Sequence, residues 1–240
     1  MLCNTPEGIS NYLEGFGMKF DYRFWKEAIK IHYEFDRRTV HKDWMSSVDK
    51  VVKKINVKNS GNIKVLDIGS GDGLTIRQFT DEILKNYKRT IILDAIEPSK
   101  IALDAFCKQR FNKKVTINRI INDAWRPNLL NDKYDIIFLV HSAYYLADSE
   151  KGYIEMIKSI LNLLAYNGTC VIILGSTNSD FYRVAGFQMF GNWVYSQETK
   201  KIIKKMGYTV QSIKYKLRHF IQDTMTDDKK LLNYWKFIVN

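Results

Sequence analysis

The chain has 240 residues, 45% of them hydrophobic and 13% aromatic, which suits one well-buried core with a modest appendage. It carries 37 basic against 26 acidic side chains, a formal charge of +11, but the lysines run along the whole length without an Arg-rich arm, zinc finger or RNA-recognition signature. That pattern disfavours a nucleic acid substrate. No apolar run reaches the ~18–20 residues that span a bilayer. The opening MLCNTPEGIS lacks the basic flank and apolar stretch of a secretory signal. Cys3, Cys107 and Cys170 show no paired spacing, so a cytoplasmic, reducing environment is expected, without disulfides or a Cys-based metal site.

In chain order, a flexible stretch from Gly8 to Gly17 carries two aromatics, Tyr12 and Phe16. From Asp21 to Ile55, apolar residues recur at three- and four-residue steps, the helical period. The middle then alternates. Strands are predicted at Ile63–Ile68, Thr90–Ile96, Val115–Ile121, Tyr134–Val140 and Thr169–Gly175. Helices are predicted at Leu74–Tyr87, Ser99–Arg110 and Lys151–Ala165. Strands separated by such helices imply βαβ units and a parallel sheet covered on both faces. Gln197–Met206 reads as a further helix capped by Gly207, and Tyr208–Phe220 and Tyr234–Val239 as an antiparallel pair closing the sheet. The expected fold is therefore α/β: a doubly wound, Rossmann-like sheet, mostly parallel with an antiparallel C-terminal hairpin, carrying an N-terminal helical cap.

The strongest motif is Val65-Leu66-Asp67-Ile68-Gly69-Ser70-Gly71-Asp72-Gly73. A buried strand runs into glycines at alternate positions, and a helix opens behind them. Glycine permits positive φ and removes a Cβ that would block a ligand, while helix N-terminal amides face the turn. The order G-x-G-x-G differs from the dinucleotide pattern G-x-G-x-x-G, and there is no Gly-Lys-Ser/Thr of a phosphate loop. At the end of the second strand, Glu97-Pro98-Ser99 puts an acid where ribose hydroxyls are bound in this topology.

These segments resemble class I S-adenosylmethionine-dependent methyltransferases. Val65–Gly73 looks like motif I and Glu97 like the ribose ligand of motif II. Asn122-Asp123-Ala124-Trp125 resembles the adenine-binding turn, and Tyr134–Val140 with His141 resembles motif IV. The resemblance implies S-adenosylmethionine as cofactor and S-adenosylhomocysteine as product, bound by Asp67, Gly69, Ser70, Gly71, Glu97, Pro98, Asp123, Ala124, Trp125 and His141. Gly69 and Gly71 would lie against the methionine portion, with Asp67 orienting the loop or reaching the amino group through water.

A sulfonium is an excellent methyl donor, so placement and desolvation of the acceptor count for more than acid–base machinery. Tyr144 and Tyr145 after the fourth strand offer flat walls for a planar or cationic acceptor. With Asn11–Phe16, Gly175-Ser176 and the closing Phe-Ile-Val, they are similar to the histamine N-methyltransferase group, which implies Tyr12, Phe16, Tyr144 and Tyr145 as substrate contacts. His141 and Tyr144 are the candidate catalytic residues. The aromatic stretch Thr177–Trp193 suits a lid or a packed crossover equally well. Residues 1–57 are expected to form a helical segment over the substrate pocket, and residues 58–240 the Rossmann-like domain. The expected reaction is methyl transfer to a small-molecule amine nitrogen. O-methylation of a carboxylate or hydroxyl, a non-methylating cofactor-binding role, and a dinucleotide oxidoreductase are the alternatives. No metal and no membrane partner are expected, and a monomer is favoured.

Overall fold

The computed structural model describes residues 41–57, 61–178 and 194–214. The chain divides into two compact units, residues 1–47 with 214–240 and residues 48–213, and the second holds every described strand.

A helix, α1 (His41–Val52), leads into that second unit, and its Val48, Val51 and Val52 are buried. Strands β1 (Ile63–Ile68), β2 (Ile91–Ile96), β3 (Val115–Ile121), β4 (Tyr134–Val140) and β5 (Leu164–Ile173) form one sheet in the order β3-β2-β1-β4-β5, every pair parallel. In β1 only Lys64 is exposed, and β4 is buried up to Val140. Such unbroken apolar runs suit strands covered on both faces. The edge strand β3 instead alternates half-buried with exposed positions.

On one face lies α2 (Leu74–Asn86), with Ile76, Phe79 and Ile83 at helical steps and Phe79 against Phe138 of β4, ring centroids 4.7 Å apart. It is followed by α3 (Lys100–Phe106), whose N-cap Ser99 accepts a hydrogen bond from the Ala102 amide. The other face joins Leu66, Ile68, Ile137 and Leu139 to Tyr153 and Ile157 of α4 (Glu150–Leu161) and Ile202 of α5 (Ser196–Lys205). Between those two helices, the hydroxyls of Tyr153 and Thr199 meet at 2.8 Å, so the buried polar pair satisfies itself.

The five strands fall where the sequence places them, with one exception. The helix predicted to reach Ala165 ends at Leu161, and β5 starts at Leu164. The ladder wins because the Tyr134 amide donates to the Leu163 carbonyl at 2.9 Å, capturing the chain early. Four residues then bulge: Tyr134 pairs with Leu164 but Ile136 with Thr169. Asn167 takes φ 63° in this bulge, a Cβ on Gly168 would stand 2.9 Å from the Tyr134 carbonyl, and Tyr166 is left 91% exposed. The helix expected to Arg110 likewise stops at Phe106. Gly207 turns the chain after α5 at φ 87°, but Tyr208–Lys214 form no strand, and the rest of the expected hairpin lies outside the described residues.

A second irregularity sits between β2 and β3, where the register shifts at Leu93/Asp94 so that Asp94 faces Arg119. Arg119 donates to Asp94 and to Asp132 at 2.6 Å each, Tyr134 donates to Asp94 at 2.7 Å, and Asn118 donates to its other oxygen at 2.8 Å. Burial opposes ionisation of Asp94, but the bonds from Arg119, Tyr134 and Asn118 outweigh it and hold the carboxyl below its usual range.

One glycine fixes how α2 and α3 meet. Gly73, the N-cap of α2, has φ 77°, and a Cβ there would lie 2.6 Å from the Phe106 ring. Left-handed backbone and overpacking act together at this position, so Gly73→Ala is expected to lower stability by about 2–5 kcal/mol in urea unfolding.

Candidate functional site

Strand order reverses between β1 and β4, and in open parallel sheets the crevice beyond the strand C-termini at that point is the ligand site. Here it is formed by the turn after β1, the end of β2 and the residues after β4.

The turn after β1 is held by its neighbours. The Gly69 and Ser70 amides both donate to the Ile96 carbonyl, at 2.8 and 3.1 Å, and the Gly73 amide donates to the Ser70 carbonyl. Gly69, Gly71 and Gly73 all have positive φ, of 74°, 56° and 77°. At Gly69 the protein itself leaves no room for a side chain: a Cβ would fall 2.3 Å from the Ser142 Cβ. Ser142 also donates through Oγ to the Ile68 carbonyl at 2.5 Å, stitching the ends of β1 and β4 across the crevice.

Glu97 closes the turn from the β2 side. Its two carboxylate oxygens each accept one backbone N–H, from Gly71 and from Ser99, at 2.9 Å each. Each oxygen therefore keeps a further acceptor site, the arrangement that suits a diol. Burial pushes the Glu97 carboxyl up, against the lowering effect of the Ser99 and Gly71 amides. Asn122, at the end of β3, donates to the carbonyls of Glu97 and Pro98 and fixes this corner.

Two further groups are buried here without internal satisfaction. Among the described residues no donor reaches the Asp67 carboxylate, which is 4% exposed, and burial with the nearby Glu97 charge pushes it up to about 8. The Ser70 hydroxyl oxygen is buried with no hydrogen-bond partner among the described residues. Buried polar groups are almost always satisfied in a folded protein. A carboxylate without a donor, a hydroxyl without a partner and a half-used carboxylate around one glycine turn fit a ligand bearing an ammonium, an acceptor and a pair of hydroxyls. That is the chemistry of the methionine and ribose portions of S-adenosylmethionine.

The other expected residues divide. Asp123 accepts from the Ala124 amide at 2.8 Å and pairs with Arg126 at 2.7 Å, and remains partly exposed beside the Glu97 corner. Trp125, expected at the cofactor, belongs to the core: it is 7% exposed, and its indole N–H donates to Ser159 of α4 at 3.1 Å. The apolar face beneath an uncovered stretch claims the largest ring available.

After β4, His141 has φ 54°, a conformation costly for a residue with a Cβ, while its amide donates to the Ile173 carbonyl. Its imidazole is exposed and stacks on Tyr144, centroids 6.3 Å apart and planes 15° apart. The Tyr144 hydroxyl accepts the Gly175 amide, joining the end of β5 to the turn after β4. Burial pushes the Tyr144 phenol up to about 12, so at neutral pH it keeps its proton and can act as a donor and wall. Tyr145, 67% exposed, stands edge-on to Tyr144. Tyr12, Phe16 and nearly all of the Thr177–Trp193 stretch lie outside the described residues. Among the described residues no group of His, Cys, Asp and Glu side chains has the arrangement of a metal site, and no helix is long and apolar enough to cross a membrane.

Against solved structures, the chain matches a Methanococcus maripaludis protein, provisionally assigned as an S-adenosyl-L-methionine-dependent methyltransferase, at 15% identity. That match has a TM-score of 0.54 and covers 83% of this chain and 92% of the other. The fold is the Rossmann-like methyltransferase fold. Weaker likenesses are to the plantazolicin methyltransferase BpumL solved with S-adenosylhomocysteine and a monoazolic desmethyl analogue, at 17% identity, TM-score 0.49, covering 86% and 80%. Another is to a SAM-dependent methyltransferase from Leishmania major, at 17% identity, TM-score 0.47, covering 79% and 74%. The sequence matches no protein-family model and no curated protein.

Ser142 and Asn122 carry no sequence signal beyond being small polar residues after strands, and their bracing roles emerge only from parallel pairing. Asp67 leaves a measurable trace. Its carboxyl holds a proton more tightly folded (about 8) than unfolded (3.8), so the folded state loses relative stability as pH rises through that window. Asp67→Asn is therefore expected to gain on the parent chain by up to about 1.4 kcal/mol per pH unit between roughly pH 5 and 8, read by urea unfolding at each pH.

Proposed function

We propose that the protein transfers a methyl group from S-adenosylmethionine to a small-molecule acceptor, at an amine nitrogen. The observation that carries this reading is the trio of Asp67, Ser70 and Glu97, buried around a left-handed glycine turn with hydrogen-bonding capacity that no described residue fills. The fold supports it, since it is one on which such chemistry is performed.

In this reading Asp67 receives the cofactor's ammonium, Ser70 its carboxylate, and Glu97 the ribose diol, with Asp123 and the Ala124 backbone at the adenine. Bound there, the cofactor supplies an electrophilic methyl on a sulfonium. The chain's own part is placement. His141 and Tyr144 stand together at the end of β4, held by the bonds from the His141 amide to Ile173 and from the Gly175 amide to Tyr144. They offer a flat wall past which an acceptor is guided toward the crevice, and the rigid brackets on both sides fix its approach. The Tyr144 phenol, held up to about 12, keeps its proton at neutral pH, and a neutral amine acceptor needs no base. The aromatic pair Tyr144-Tyr145 and the resemblance to the histamine N-methyltransferase group support an amine bound against aromatic faces. The reading includes residues 1–57, with Tyr12 and Phe16, as a cap on the acceptor pocket, and a monomer in the cytoplasm.

His141 is the described side chain at this edge suited to taking a proton, and its exposed, strained position favours, as a second reading, a hydroxyl acceptor.

Calorimetric titration with S-adenosylhomocysteine tests the core claim. Binding is expected for the parent chain and to weaken by roughly 100-fold in Glu97→Gln, which loses one charge-assisted acceptor and the negative charge. A folded parent chain that binds neither S-adenosylhomocysteine nor S-adenosylmethionine would sink the proposal. Incubation of the cofactor with amine and hydroxyl panels, read by product mass, then separates the two acceptor classes.

A further inference from the structure

The lysines that look scattered in sequence are gathered by the topology. In a parallel sheet every strand begins at the same edge, opposite the crevice. Neighbouring strand starts are tied here: the Ile91 amide donates to the Lys114 carbonyl, the Ile63 amide to the Thr90 carbonyl, and the Tyr134 amide to the Leu163 carbonyl. Reading across β3, β2, β1 and β4, that edge presents Lys113 and Lys114, then Lys88, then Lys64, then Lys133, all exposed. None of them forms an ion pair with a described carboxylate. The acids nearby are engaged elsewhere: Asp132 with Arg119, Glu82 with Lys85, and Asp135 with the Lys64 amide. At about 4.8 Å per strand, the row carries five positive charges over roughly 15 Å.

The row ends on an aromatic. The next strand, β5, bulges at 165–168, and this turns Tyr166 out to 91% exposure beside the start of β4. A large ring held in solvent by a positive-φ Asn167 and a Gly168 pressed against the Tyr134 carbonyl gains nothing for the core. Basic side chains tracking a backbone, with an exposed ring at one end for a base to stack on, form the pattern of non-specific single-strand binding.

We propose that this edge binds single-stranded nucleic acid, its phosphates along Lys113, Lys114, Lys88, Lys64 and Lys133 and one base stacked on Tyr166. A linear row with a terminal stacking ring fits a linear polyanion that carries rings. The site lies at the opposite sheet edge from the crevice, so it serves to localise the protein and does not present an acceptor. It stands independently of the proposed activity.

The test is fluorescence anisotropy with a labelled 12-nucleotide oligo(dT), in 20 to 200 mM salt, on the full chain. Binding is expected at low salt, weakening as log Kd rises with log salt at a slope of about 3.5, from roughly 0.7 per phosphate contact at five lysines. The triple variant Lys88→Glu, Lys113→Glu, Lys133→Glu is expected to lose at least 10-fold in affinity and to flatten that slope. Tyr166→Ala is expected to lose roughly 5- to 100-fold with the slope unchanged. Circular dichroism identical to the parent chain confirms that each variant is folded. The proposal is overturned by no binding at 20 mM salt, by unchanged affinity in the folded triple variant, or by equal binding of Tyr166→Ala together with tighter binding to phosphatidylserine vesicles than to oligo(dT).

Discussion

Gly69 has no room for a side chain, because Ser142 stands where its Cβ would be. That contact ties the ends of β1 and β4 together at the point where strand order reverses, and the crevice follows from it. With β1 turned sharply at Gly69, the next amides fold back onto the Ile96 carbonyl, and Gly71 comes within reach of Glu97. Asp67 and Ser70 are then enclosed by the same turn, which leaves them without hydrogen-bond partners among the described residues. A wider turn would let water satisfy both. The site's polarity is thus a consequence of tight backbone packing, and its cost is a set of buried groups that a ligand can satisfy.

Much of this was legible in the sequence, for reasons that can be stated. Strands buried on both faces need unbroken apolar runs, and β1, β2 and β4 are such runs. Positive φ favours glycine, so Gly69, Gly71 and Gly73 announced their turn. What sequence could not supply is which partner each residue meets. Trp125 lay in a segment patterned like a ligand turn, but a large ring goes where the sheet face is uncovered, and between β3 and β4 no helix covers it among the described residues. Tyr144 was legible as a pocket residue, but not that its hydroxyl accepts the Gly175 amide and so ties the turn after β4 to the end of β5. The early start of β5 was hidden because Leu163 and Leu164 suit a helix as well as a strand, and the ladder with Tyr134 decided between them. For Gly69 the need for glycine was legible, but not that Ser142 stands where its Cβ would be.

The two edges of the sheet differ in electrical character. At the strand C-termini, the carboxyl groups of Asp67 and Glu97 lie buried in a closed turn that pushes both toward the neutral form; at the N-termini, lysines with no acid partner among the described residues face solvent. Composition alone, at +11, reports only the sum. Parallel pairing separates the charges because it sorts every loop by the end at which it falls. Distribution, rather than net charge, sets how such a chain meets its ligands.

The bulge that sets Asp94 against Arg119 acts as a check on alignment. Without the extra residue in β3, Arg119 would project from the opposite face, and a carboxylate 4% exposed in the middle of β2 would lose its cation. A one-residue slip of an edge strand sends every side chain along it to the other face. Here it would also strand a charge in the interior, a penalty of several kcal/mol. An edge strand, paired on one side, is thereby held in register by electrostatics as well as by packing.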